Sequence, residues 1–151
     1  MTEVIIRKPQ VDEYEIWSAI YRVYLDFYKM SLTDAQLQKV WAWLFEQPQQ
    51  INCYFAEIKQ KVVGLAQFRS FVRPTEACSG VFLDDLIVLP EFRGHGVGYQ
   101  LIEAVKSHAK NNNLNIVRWI TAQDNIQAMR LYDSVATKTT WVTYDAKIEP
   151  K

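Results

Sequence analysis

The stretch DDLIVLPEFRGHGVGYQLIEAV, Asp84 to Val105, sets two adjacent carboxylates, an apolar run, a proline, Arg93 and three closely spaced glycines before an amphipathic segment. Gly94, Gly96 and Gly98 precede a helical pattern in which Leu101, Ile102, Val105 and Ala109 share one side. The first amides of a helix lack intrahelical acceptors and lie at the positive end of its dipole. A glycine-rich lead-in therefore lets a phosphate reach them. Arg93 could add charge or pair within the protein, and a tight turn without a ligand is the plainer alternative. Spacing removes two other readings. A dinucleotide fingerprint wants glycine where Tyr99 stands, and a nucleotide P-loop ends in Gly-Lys-Ser/Thr, a tripeptide absent from the chain.

Asp84 and Asp85 offer acid–base chemistry. Strand alternation would turn them to opposite faces, so at most one points into a given site. Either could bind a cation, or take its proton directly or through water. The alternative is that one pairs with a neighbouring arginine and the other marks a bulge. His95 has a suitable pKa for a base, yet it lies between two loop glycines and is expected to face solvent. His108 is expected on the outer part of a surface helix, with no role. Cys53 and Cys78 form no metal-ligand spacing and no His-paired nucleophile motif.

These groups need a scaffold, and the chain supplies its signals. VIIRK reads as a strand ended by Pro9. Residues 11 to 28 read as a helix with two stripes, Ile16, Ile20, Val23, Phe27 and Trp17, Tyr21, Tyr24, Tyr28. A second helix follows Thr33, a plausible cap, and stops before Pro48. NCYFAEI and VVGLAQFRSF form a hairpin about KQK, and CSGVFLDDLIVL is the next strand. A helix over 98–111, closed by Asn111 to Asn113, leads to the strand NIVRWITA. Asp124 caps a further helix carrying Ala128, Leu131, Tyr132 and Val135, with Gln127 completing a capping box, and TWVTYDAKI reads as a last strand. The order β-α-α-β-β-β-α-β-α-β predicts an α/β (α+β) fold. Its central sheet is mixed and mostly antiparallel, with helices on both faces.

Length and composition set the frame. The 151 residues suit one domain, 1–151, with no repeat or linker. Seventeen basic and seventeen acidic residues give no electrostatic footprint for nucleic acid or an anionic membrane. No window has the apolar length to span a bilayer, and the N-terminus lacks the apolar run of a secretory signal. A soluble cytoplasmic protein with free thiols is the expectation.

Arg-x-x-Gly-x-Gly after Val-Leu-Pro-Glu-Phe resembles the acyl-CoA pyrophosphate loop of the GNAT superfamily of N-acetyltransferases. A second match lies in TAQDNIQAMRLYDSV, where Asn125, Ala128, Leu131 and Tyr132 resemble the family's later helix along the pantetheine arm. LDDLIV followed by RGHGVG is similar to the diamine and polyamine acetyltransferase branch. The likeness spans about residues 52–146. It departs at Ala136-Thr137, where the family usually shows Gly-Phe; the turn into the last strand and the acceptor pocket beside it are affected.

The resemblance implies a GNAT-like fold and an acetyltransferase using acetyl-CoA (coenzyme A) as co-substrate. It would act on a small-molecule amine, a diamine, polyamine or amino-acid-like amine, within a ternary complex. The enzyme must position two substrates, deprotonate an ammonium of pKa about 10 and protonate the departing thiolate. By residue match Tyr132 is the candidate acid, and Asp84, then Asp85, the candidate base or cation site. The main chain of Leu86, Ile87 and Val88 would dock the pantetheine and acetyl carbonyl. Arg93, Gly94, His95, Gly96, Val97, Gly98 and Tyr99 would surround the diphosphate, and Asn125 and Ala128 line the coenzyme. Tyr24 and Tyr28, within the aromatic stripe, could wall an acceptor pocket and attract an ammonium; packing in a core or dimer interface is the alternative. A homodimer suits the family. A protein or peptide amine, or a non-catalytic acyl-CoA sensor, are the other functions in view.

Overall fold

Two residues, Lys59 and Gln60, turn the chain at φ 49° and 68°. They join strand β2 (Asn52–Ile58) to β3 (Lys61–Arg73) in a hairpin whose last pair is Ile58 and Lys61. Positive φ at both turn positions matches the right-handed twist of the strands. Strand β4 (Cys78–Val88) adds antiparallel to β3, and β1 (Ile5–Arg7) antiparallel to β2. The short β5 (Val117–Arg118) lies parallel to β4, giving the sheet order β1-β2-β3-β4-β5. This is a computed structural model describing residues 3–46 and 51–150. The mixed, mostly antiparallel sheet is as expected.

Residues 1–120 form one compact unit and 121–151 a second. In the first, helices α1 (Tyr14–Phe27) and α2 (Asp34–Glu46) cover one face of the sheet. Trp17, Ile20, Leu25, Leu37, Trp41 and Leu44 close there on Cys53, Phe55, Leu65 and Ile87. Helix α3 (Val97–Asn111) covers the other face, so close to β3 that a Cβ on Gly64 would lie 3.4 Å from Val97. No helix of the described residues is long and apolar enough to cross a membrane.

Several local expectations are corrected. Helix α1 starts at Tyr14 rather than residue 11, because the chain first turns at Gln10–Glu13, where the Glu13 carboxylate accepts from the Gln10 amide at 2.8 Å and pairs with Arg7. The inward face takes in Trp17 of one stripe and Ile20 of the other, while Ile16 and Phe27 are exposed. Thr33 does cap α2, its hydroxyl accepting from the Gln36 amide as Gln36 accepts from the Thr33 amide. His108 is half-buried with its ring against Phe68, 5.0 Å between centroids, so it is not on the outer side of α3.

Strand β5 is far shorter than NIVRWITA, because its ladder with β4 runs only through Val81 and Phe82. In the second unit, helix α4 (Ile126–Val135) is capped at Asn125 rather than Asp124, and no side chain bonds its first turn. The expected last strand over TWVTYDAKI is not formed: residues 137–150 hold neither helix nor strand. Period-two alternation records a preference, but a strand exists only where a neighbour completes its ladder.

Candidate active site

A bulge in β4 decides where the two carboxylates point. Gln67 pairs with Asp85 and Phe68 with Leu83, which leaves Asp84 as the extra residue. Asp84 bonds Arg69 at 3.0 Å and Asp85 bonds Gln67 at 2.7 Å. Arg69 and Gln67 are two apart on β3 and therefore share a face. Both carboxylates thus lie on the α1 side of the sheet, not on opposite faces. The extra residue cancels the alternation.

Their surroundings differ. The Asp84 carboxylate is engaged by the exposed Arg69 guanidinium, which also lies over the Phe82 ring at 4.9 Å. Asp85 sits at the end of a buried chain of hydrogen bonds. The Trp17 indole N–H donates to the Gln67 side-chain oxygen at 2.6 Å, and the Gln67 amide then donates to Asp85. An indole N–H is donor only, so it fixes which end of the amide meets the carboxylate. Tyr21 donates to the same Asp85 oxygen at 3.3 Å, and the Tyr24 hydroxyl faces it too.

Burial pushes the Asp85 carboxyl above the usual carboxylate range; Gln67 opposes this, the Asp84 charge adds to it, and the tyrosine hydroxyls oppose it again. Asp84 is also raised by burial, against the pull of Arg69. The phenols of Tyr21 and Tyr24 are held well above their ordinary range by burial and then by the Asp85 charge. Tyr21, Tyr24 and Tyr28 form an edge-to-face ladder along α1 with centroids 6.0 Å and 4.9 Å apart. Carboxylate and ladder together make a half-buried, acidic, aromatic-walled recess, suited to an ammonium.

The glycine loop lies at the far end of β4. A short 3-10 turn, Pro90–Phe92, leads to Arg93, whose guanidinium donates to the Val88 carbonyl at 3.2 Å and lies over Phe27 at 5.8 Å. Arg93 is therefore engaged within the protein. Gly94 and Gly96 take φ 81° and 79°, which side chains disfavour, and a Cβ on either would meet nothing within 4 Å. The first α3 bond runs from the Gln100 amide to the Gly96 carbonyl, so the amides of Val97, Gly98 and Tyr99 precede it. His95 and Tyr99 are exposed and the Val97 side chain is buried. Open space beside amides at a helix start fits a phosphate. On the β5 side, the β4 backbone from Leu83 to Val88, including Leu86 and Ile87, has no ladder partner among the described residues. This leaves main-chain donors and acceptors for an extended ligand.

Within the second unit, Asn125 precedes α4 and its amide nitrogen lies 3.5 Å from the Thr121 hydroxyl, while Ala128 and Tyr132 are half-buried on the helix. The sequence reading missed Gln67 and Arg69. Gln67 had a signal: it is the one uncharged polar side chain inside the apolar run VVGLAQF.

Residues 17–136 match the acetyltransferase (GNAT) family. The D-amino-acid N-acetyltransferase of Saccharomyces cerevisiae is 25% identical over 143 residues, 93% of this chain and 89% of that protein. The thialysine N-epsilon-acetyltransferase of Mus musculus is 32% identical over 62 residues, 41% of this chain and 36% of that one. Among solved structures, the aminoglycoside N-acetyltransferase AAC(6')-Iy in complex with CoA superposes with a TM-score of 0.80 at 22% identity, covering 97% of this chain and 96% of that one. The glycine-led helix, the bulged strand and the family match over most of the sequence agree: this chain belongs to the GNAT acetyltransferase family, acyltransferases that use acetyl-CoA as donor.

Proposed function

We propose that the protein, as a single N-acetyltransferase domain over residues 1–151, moves the acetyl group of acetyl-CoA to the primary amine of a small molecule. Transfer is direct, within a ternary complex. The bulged β4 carries this reading, because it aims Asp84 and Asp85 at one recess under the tyrosine ladder of α1. Asp85 is the better base: its carboxyl is not tied up by a cation, and burial raises its pKa above the usual carboxylate range. Asp84 strengthens the field and is itself matched by Arg69. Tyr24 and Tyr28 wall the ammonium.

An ammonium in the recess gives a proton to Asp85, and the free amine attacks the acetyl carbonyl. The C–N bond forms, the C–S bond breaks, the thiolate takes a proton from Tyr132, and the second proton shed by the amine nitrogen leaves to water, from which the phenol is restored. The phenol and thiol pKa values lie within about two units, so that transfer is nearly balanced. The Tyr132 role rests on its motif match. The β4 edge at Leu86, Ile87 and Val88 suits the pantetheine and the acetyl oxygen, and residues 93–99 suit the diphosphate, with Asn125 and Ala128 beside the coenzyme. The named activities of the similar proteins, on a D-amino acid, thialysine and an aminoglycoside, all concern small amines and support this acceptor class. Free Cys53 and Cys78 suit a cytoplasmic setting. The exposed Trp141, Tyr144 and Ile148 suit burial between two copies of the chain.

Thiol release from acetyl-CoA with a panel of amines tests the reading, and absence of turnover by folded, CoA-binding protein would refute it. Tyr132→Phe should keep CoA affinity and lose rate; equal rates in both proteins would remove Tyr132 from the chemistry. Gly96→Val should weaken CoA binding at least tenfold.

A further inference from the structure

The two carboxylates under α1 do not act as a double charge, because a cation stands beside one of them. The Arg69 Nε donates to both Asp84 oxygens, at 3.2 Å and 3.0 Å. Phe82 is the cross-strand partner of Arg69, and the guanidinium lies over its ring at 4.9 Å. Contact with two oxygens, backed by a ring, holds the cation in a way that a lone surface pair does not. Asp85 has only neutral partners, Gln67 and the tyrosines. The other groups that feel its charge stay neutral: burial, and then that charge, keep the phenols of Tyr21 and Tyr24 and the thiol of Cys53 protonated. With both carboxyls ionised, the recess therefore offers one uncompensated negative charge and not two.

We propose that Arg69 sets acceptor specificity by charge: it cancels Asp84, so that the recess takes an amine with one positive charge and disfavours diamines. This rests on the reading of the Asp85 recess as the amine end. Charge, and not reach, makes the distinction. Gln67 and Arg69, the partners of the two carboxylates, lie two residues apart on one face of β3, about 6.6 Å at roughly 3.3 Å per residue. A diamine of about four carbons sets its nitrogens a similar distance apart, at roughly 1.5 Å per bond along a zigzag chain. With one ammonium at Asp85, its second arrives at Asp84 and meets a guanidinium already there, and like charges repel. A monoamine of the same length carries nothing there to be repelled. Arginine suits the task, because it stays charged at any pH at which the amine reacts.

Matched pairs test this, butylamine with putrescine and pentylamine with cadaverine, at about pH 8, where the carboxyls are ionised and the amines still protonated. Wild type should favour each monoamine by about tenfold in kcat/KM. Arg69→Gln leaves Asp84 unmatched and should raise the diamine-to-monoamine ratio by about 10- to 100-fold, through KM, the worth of a charge-assisted contact. Asp84→Asn leaves Arg69 unmatched and should lower the ratio below that of wild type. The two substitutions together restore the charge count and should return the ratio close to its starting value. General damage to the site moves both amines together and leaves the ratio where it was, so a merely structural ion pair does not produce this order. A ratio unmoved by Arg69→Gln, or a wild type that prefers the diamines, would overturn the proposal. Calorimetric titration of the same amines into CoA-saturated protein separates this from failure of the transfer reading. The same order among the affinities supports the charge rule even if no acetyl moves. Loss of that order, or no binding of either monoamine to the wild-type complex, overturns it.

Discussion

One face of one sheet carries two regions built from similar side chains and used differently. Beneath α1, Trp17, Gln67 and Asp85 are linked in series with distances of 2.6 Å and 2.7 Å, and Trp17 and Gln67 are almost wholly buried. Beyond the bulge, Arg69 is exposed and Phe82, Phe71 and Arg118 are half-buried, in contact through their rings and guanidiniums. A covered polar group must have its bonds made in fixed directions, since an orphan is costly. An uncovered one keeps water as a partner. The covered half is therefore suited to setting a pKa and the open half to meeting ligands of variable shape.

The largest expected effect separates the adjoining carboxylates. Asp85→Asn should lower kcat/KM by about 100- to 10,000-fold, the range for losing a general base, while Asp84→Asn should cost less than about tenfold. Steady-state kinetics at saturating acetyl-CoA decide it, and a reversed order would move the base to Asp84. Stability should divide along the same line. Trp17→Ala should cost about 3–5 kcal/mol by denaturant unfolding, and Phe82→Ala roughly 1 kcal/mol, because a half-buried ring leaves no closed cavity.

Gln67→Leu sharpens the comparison from within the covered half. It strands the Trp17 N–H, for about 1–3 kcal/mol, and removes the donor that holds the Asp85 pKa down. A base works when deprotonated, so the acidic limb of kcat/KM, already above the ordinary carboxylate range, should move to higher pH. An unmoved limb would dissociate Gln67 from the chemistry. The smallest effect is a gain. Because the folded pKa of Asp85 is raised, folded protein binds more protons than unfolded protein between the two pKa values. Stability therefore falls as pH rises through that window and stays lower at neutral pH. Asp85→Asn should melt above wild type at pH 7, and the difference should vanish below about pH 4, the ordinary aspartate range.

Much of this scaffold was legible. The hairpin, the long β4, α3 behind its glycines and the Thr33 cap all rest on local signals, and local signals act within a few residues. A bulge with an arginine partner was open as an alternative, but the letters could not decide for it, because alternation assumes an unbroken ladder and Asp84 is accommodated only by the register of β3 opposite. The aromatic stripe of α1 could be read as pocket wall or core: Trp17 is core, while Tyr21 and Tyr24 are half-buried against Asp85 and Tyr28 lies against Tyr24. The segment after Ala136 has strand-like letters without a strand; sequence pattern names a willing element and says nothing of its neighbour.

The indole at the start of the buried chain gives the site its own reporter. Only one amide separates the Trp17 N–H from the Asp85 carboxylate, so charging or neutralising that acid should shift the ring proton's magnetic resonance. The ionisation of the recess could then be followed in resting protein, with no acceptor added and no turnover.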